Sequence, residues 1–358
     1  MLLLAVFLAV QTPVDSVALV TRDIPSFWRA YDLAAGKDSA ERTRIFRTVY
    51  LQPGSPGLRD WMRVRLMNRD TVRARMIASG WTTARLDSLS RDSLERASTP
   101  FAEQSAAEEL LHALRAYPRY YAAVRARTLA VDTNSAIRQG IRQGLAKLAE
   151  LYPAARFPNI YFLIGTLSTG GTTSRSGMLI GTEQSASGPD TPLDELPAWA
   201  QKGFPTHRFE SLVGLVVHEA VHTQQKSMPP GQHDTLLRHA LGEGIADFLS
   251  ELAVGPWAAN SPRQIYGRAH EHDVWVDFQD EMAIASDSLI RTWMYNGMVP
   301  PDKNHGAVDI GYWVGYRIAA AYYARAADKR AAVRELLELR DPVAVLRESG
   351  YAPLAFPP

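Results

Sequence analysis

Not one of the 358 residues is cysteine, so the chain can form no disulfide, offer a metal no thiolate and supply no cysteine nucleophile. Any metal it holds must rest on His, Asp or Glu. An excess of charge is missing as well. The 39 basic residues stand against 38 acidic ones, which leaves no overall field to draw the chain to nucleic acid or to an anionic membrane. Long hydrophobic runs are also absent: no stretch reaches the roughly 18 uncharged apolar residues of a membrane helix, so no transmembrane anchor is expected. Without cysteine no lipoprotein anchor is expected either.

What is present is ordinary for a globular enzyme-sized body, with 46% hydrophobic and 22% charged residues. The opening MLLLAVFLAVQTPVDS has a short apolar run followed by small and polar residues, the pattern of a signal peptide over 1–16, although no Lys or Arg precedes the run. This predicts a secreted or periplasmic location in a bacterial envelope. The alternative is a buried N-terminal strand.

Apolar residues recur at helical steps through most of the next 140 positions, for example Leu110, Leu111, Leu114, Tyr117, Tyr121 and Val124 within a helix expected over 101–127. PGSPG (53–57) and STP (98–100) read as helix junctions. Residues 17–155 are therefore expected to form a helical region. The character changes near Pro158. NIYFLIGTL (159–167) and SGMLIGTE (176–183) are β-rich apolar runs joined by STGGTTSR, and read as two strands and a loop. Helices are expected again over 209–227, 233–254, 265–296, 310–328 and 330–348. The order helices, small sheet, helices predicts an α+β, predominantly helical fold, with a second domain over 156–358.

The strongest chemical signal is HEAVH at 218–222. Helix residues four apart lie about 40° apart around the axis, so His218 and His222 point the same way and can grip one metal ion. Glu219 lies beside them, where a general base could activate water at the metal. Leu212, Val213, Leu215, Val216 and Val217 make the helix apolar nearly all round, hence buried, and buried titratable groups need partners. A catalytic zinc wants a third protein ligand and one open position. Glu243, 21 positions after His222, allows the first helix to end, turn at MPPG and return beside the metal. Asp247, one turn further, can accept the free ring N–H of a metal-bound His and fix its tautomer. The plainer alternative is a pair of satisfied core histidines with Glu219 on a wet edge.

HEAVH followed by GEGIAD resembles the gluzincin pattern of thermolysin-like zinc metalloproteases. The resemblance implies zinc ligation by His218, His222 and Glu243, general-base catalysis by Glu219 and a supporting carboxylate at Asp247. No third-His pattern of metzincins follows, and no GxMEN strand of aminopeptidases occurs. Over roughly the C-terminal 200 residues the runs YFLIGTLSTGGTTSRSGMLIGTE, HEAVHTQQ, EGIADFLSEL and GYWVGYRIAAAYYARAADKRAAVRELLELRDPVAVLRESGY resemble, in that order, a bacterial family of predicted zinc-dependent proteases related to gliding-motility proteins. That resemblance implies a zincin-like domain, an envelope or exported location and a peptidase-like site taking one Zn²⁺ and a peptide or protein substrate.

An oxyanion would need an electrophile besides zinc, and the DIGYWVGYRIA segment offers Tyr312 first and Tyr316 second, with Arg317 and His305 nearby. Both rings could equally be core packing beside Gly311 and Gly315. His239, one turn before Glu243, reads as a spare ligand, a proton donor or a solvent-facing residue. Gly170, Gly171 and Thr172 precede the metal helix where zincin folds place an edge strand that pairs with extended peptide, or they form a hairpin turn; a P-loop is excluded because GK[ST] is lacking. HEHD (270–273) places its His at i, i+2, facing apart on a helix, so no second metal site is expected there. Two other readings stay open: a non-catalytic envelope protein with a structural metal, and a metal-free helical binding module. Cleavage preference and oligomeric state are not legible.

Overall fold

The computed structural model describes residues 14–204, 208–297 and 305–353. The signal-peptide expectation over 1–16 lies outside them except for a 3₁₀ turn at Val14–Ser16. The fold is α+β and predominantly helical, with four strands among the described residues. Two compact units divide the chain discontinuously. One takes the chain up to Val17, Ser135–Pro158 and Leu196 onward; the other takes Ala18–Asn134 and Asn159–Glu195.

The second of these units holds the sheet, in the order β1-β2-β4-β3, with β1 Leu19–Val20, β2 Ile160–Leu163, β3 Gly171–Thr173 and β4 Met178–Gly181. The two expected apolar runs pair with each other in parallel, Ile160 opposite Met178 and Leu163 opposite Gly181. Both are buried along their full length, which is why they read as continuous rather than alternating apolar runs. The linking loop is not passive: Gly171–Thr173 folds back as an antiparallel edge strand on β4. Around the sheet, Phe27 meets Trp28, Phe46 and Tyr50 edge to face. The phenols of Tyr50, Tyr121 and Tyr120 donate to the carbonyls of Ile164, Gly165 and Glu183 at 2.7–2.8 Å, so the buried chain just past β2 and β4 keeps its hydrogen bonds.

Several expected helices are cut differently. The helix expected over 101–127 is two, Arg91–Ala116 and Pro118–Thr133, because Pro118 fits the first turn of a helix but cannot continue one. STP is no junction: the Arg91–Ala116 helix runs through Pro100, and the hydroxyls of Ser98 and Thr99 both donate to the Glu95 carbonyl. PGSPG does begin a helix, with Ser55 Oγ accepting from the Leu58 N–H ahead of Pro56–Trp61.

The other unit is built on the helices Ser135–Leu151, Ser211–His222, Leu236–Val254 and Ile310–Arg325. Leu212, Val216, Val217, Ala220 and Val221 of the second are fully buried, whereas Val213 and Leu215 are only half-buried, so the burial expected all round this helix is incomplete. Glycines let its neighbours approach. A methyl on Gly144 would stand 2.6 Å from Val217 and Val254, and one on Gly214 would enter the Trp257 ring. Gly244 and Gly315 bring the Leu236–Val254 and Ile310–Arg325 helices into backbone contact: a Cβ on Gly315 would collide with the Ala240 carbonyl. The helix expected over 265–296 is broken into Pro262–Ala269, Glu271–Glu281 and Asp287–Trp293, and that over 330–348 into Lys329–Glu338 and Pro342–Ser349. At the second break Leu339 turns left-handed and Asp341 caps the helix that Pro342 opens.

Candidate metal centre

The structure brings His218 and His222 of the Ser211–His222 helix to Glu243 of the Leu236–Val254 helix. The two imidazole Nε2 atoms are 3.1 Å apart, and Glu243 Oε2 lies 3.1 Å from that of His222 and 3.4 Å from that of His218. Zinc held by bonds of about 2.0–2.1 Å at tetrahedral angles spaces its ligand atoms roughly 3.3 Å apart, so this triangle fits the ion's own dimensions.

The remaining ring nitrogens are also placed. His218 Nδ1 lies 2.9 Å from Asp247 Oδ1, although the N–H does not point squarely at that oxygen. His222 Nδ1 lies 2.8 Å from Gln225 Oε1, and the Gln225 amide donates to the Gly242 carbonyl at 2.6 Å. With protons on both Nδ1 atoms, two Nε2 lone pairs and a carboxylate oxygen face one point, an arrangement that calls for a cation. The donor set is two imidazoles and one carboxylate, all acceptable to Zn²⁺.

Electrostatics agree. Burial opposes the charge of each group, but attraction outweighs it: Asp247 and Glu243 hold the His218 imidazole up at about 10, and Glu243 raises that of His222. Against the same opposition from burial, the imidazoles hold Glu243 well below the usual carboxylate range, and Arg263 with His218 lowers Asp247. Such a site binds positive charge firmly, as protons or as a metal.

Glu219 is buried beside the cluster and acts electrostatically on His222. Tyr312 lies close enough to Glu243 for that charge, after burial, to push its phenol well above its ordinary value. Tyr316 is not brought to the cluster. Its hydroxyl donates to Glu251 at 2.9 Å, eight residues and therefore about 12 Å along the helix from Glu243. His239 pairs with Asp234 at 3.2 Å, and His305 stacks on Trp293 at 3.7 Å. Gly170, Gly171 and Thr172 belong to the sheet-bearing unit, the last two in edge strand β3.

Three residues escaped the sequence reading. Gln225 sits three positions past His222, a spacing that could have flagged it. Arg263 donates to Asp247 Oδ2 at 2.8 Å and covers the Tyr312 ring at 4.7 Å. The Tyr295 hydroxyl donates to Glu243 Oε1 at 2.9 Å; although the residue as a whole is half-exposed, desolvation of its hydroxyl end, with the charge of that carboxylate, pushes the phenol well above its ordinary value. Neither Arg263 nor Tyr295 carries a local motif.

Fold and cluster together define a mainly helical α+β protein with a helix-borne His/His/Glu group able to hold a metal. Residues 101–353 match the family model described as gliding motility protein GldB, and the chain belongs to that family. No curated protein and no solved structure matches it. Among the described residues no helix is long and apolar enough to cross a membrane.

Proposed function

We propose that the chain is a zinc-dependent hydrolase of the gluzincin type, with a zincin-like catalytic unit, and that it cleaves peptide bonds in the bacterial envelope. One observation carries the reading: His218 Nε2, His222 Nε2 and Glu243 Oε2 form a triangle with edges of 3.1–3.4 Å, next to the buried carboxylate of Glu219. Membership of a gliding-motility family supports the envelope location.

Zinc held by His218, His222 and Glu243 would supply a Lewis acid and make water acidic enough to lose a proton near neutral pH. The protein's residues do the rest. Glu219 takes the proton from the attacking water and hands it to the leaving amine. Asp247 and Gln225 hold the protons of His218 and His222 on Nδ1, so that both Nε2 lone pairs stay available. Arg263 holds Asp247 in place and anionic. Of the two phenols on the Ile310–Arg325 helix, Tyr316 is committed to Glu251, so Tyr312, which feels the charge of Glu243, is the one proposed to donate to the developing oxyanion. Retention of a base beside the ligands favours an enzyme over a structural metal site, which has no use for one.

The test compares wild type with Glu219→Gln. Both should carry one zinc per chain by elemental analysis, while hydrolysis of an unfolded protein should fall by about 10²–10⁴-fold in the variant, the span of a lost general base. Equal hydrolysis by two zinc-loaded proteins would rule out the mechanism.

A further inference from the structure

Glu243 uses its two carboxylate oxygens differently. Oε2 faces both imidazoles, whereas Oε1 accepts the Tyr295 hydroxyl at 2.9 Å. Tyr295 is held to that task by a strained backbone. Its φ is +57°, a left-handed conformation that side chains other than glycine's disfavour, and Asp309 is also left-handed at +58°. Reciprocal bonds tie Asp309 to Asn296, the residue next to Tyr295: the Asn296 N–H donates to Asp309 Oδ1 at 3.1 Å, and the Asp309 N–H to Asn296 Oδ1 at 2.7 Å. Strain maintained by such bonds marks positions where placement matters. The residue is 45% exposed, and its ring meets His239 and Tyr312 edge to face, so packing alone does not account for the position.

We infer that Tyr295 is a positioning residue which, by occupying Oε1, restricts Glu243 to coordination through Oε2 alone and so keeps a fourth position at the metal open. The inference rests on the metal reading above. A carboxylate with both oxygens free can bind through one or two of them, and a two-oxygen Glu243 would add a donor atom beside the place that a catalytic zinc leaves for water or substrate, crowding it and making the water-bearing ion five-coordinate. The hydroxyl competes with the metal for Oε1 and tips that choice. Removing it while keeping the ring isolates the effect.

The experiment loads wild type and Tyr295→Phe with cobalt(II) and records visible absorption, strong for four-coordinate and weak for five-coordinate cobalt. X-ray absorption of the zinc forms counts the oxygens bound. Wild type should give the strong band and the variant should lose most of it, with one more oxygen around zinc. A hydrogen bond that is merely structural would lower metal affinity, about 10–100-fold for a lost outer partner, and leave the spectrum alone. Identical spectra, or a wild type already five-coordinate, would overturn the inference and spare the metal site. Failure of wild type to bind either metal would overturn both.

Discussion

Asp247 and Gln225 perform one task from different elements. Each puts an acceptor oxygen within 2.9 Å of an imidazole Nδ1, and each is itself anchored, Asp247 by Arg263 and Gln225 by the Gly242 carbonyl. A ring free to turn or to change tautomer presents its Nε2 lone pair only part of the time. Asp247→Asn and Gln225→Ala are therefore each expected to weaken zinc binding by about 10–100-fold in chelator competition, with little change in the far-ultraviolet dichroism of the chain. Unchanged affinity in both would mean that the helices alone orient the rings. His218 with His222, and Glu243 with Asp247, were legible because helical periodicity puts each pair on one face; joining the two pairs took the 21-residue connection and the gluzincin resemblance. Arg263 and Tyr295 were not: they reach Asp247 and Glu243 through tertiary contacts that no local pattern encodes.

At the scale of elements, the centre depends on how closely two helices cross one residue beyond Glu243. Gly244 and Gly315 put the backbones of Leu236–Val254 and Ile310–Arg325 in contact, and a Cβ on either would collide with main-chain atoms of the other helix. Gly315→Ala has to push the helices apart. Overpacking of this kind costs about 1–3 kcal/mol, readable as a lower midpoint in denaturant, and zinc affinity should fall with it because Glu243 rides on the displaced helix. A variant as stable as wild type would show that the crossing is slack. The α+β class, the two apolar strands and the buried HEAVH helix could be read from residue patterns. The breaks at Tyr117, near Ala285 and at Leu339, and the parallel pairing of β2 with β4, depend on cap geometry and on distant partners, so periodicity alone ran the helices together. β1, two residues long, is too short to leave a pattern.

For the whole molecule, the two compact units carry separate chemistry. Neither is a continuous stretch of chain, and their outlines therefore come from contacts that sequence order hides. In the sheet-bearing unit Glu183 is fully buried, with Oε1 accepting the Leu167 N–H at 3.1 Å and Oε2 unpartnered. Burial pushes its carboxyl from 4.5 to about 7. The unfolded chain ionises this group at lower pH than the folded one, so its contribution is whole below pH 4.5 and is lost as pH rises to 7, by about 3 kcal/mol. Glu183→Gln should flatten that slope, seen as hydrogen-exchange protection of 159–185 that no longer weakens between pH 5 and 7; a slope equal to wild type would assign it to other groups. Metal removal should instead loosen the segments 211–222 and 236–254, which carry the ligands. The most direct measurement is an anomalous difference map at the zinc edge from zinc-soaked crystals. The account predicts one peak about 2.0–2.2 Å from His218 Nε2, His222 Nε2 and Glu243 Oε2; no peak among those three atoms at full zinc saturation would contradict it.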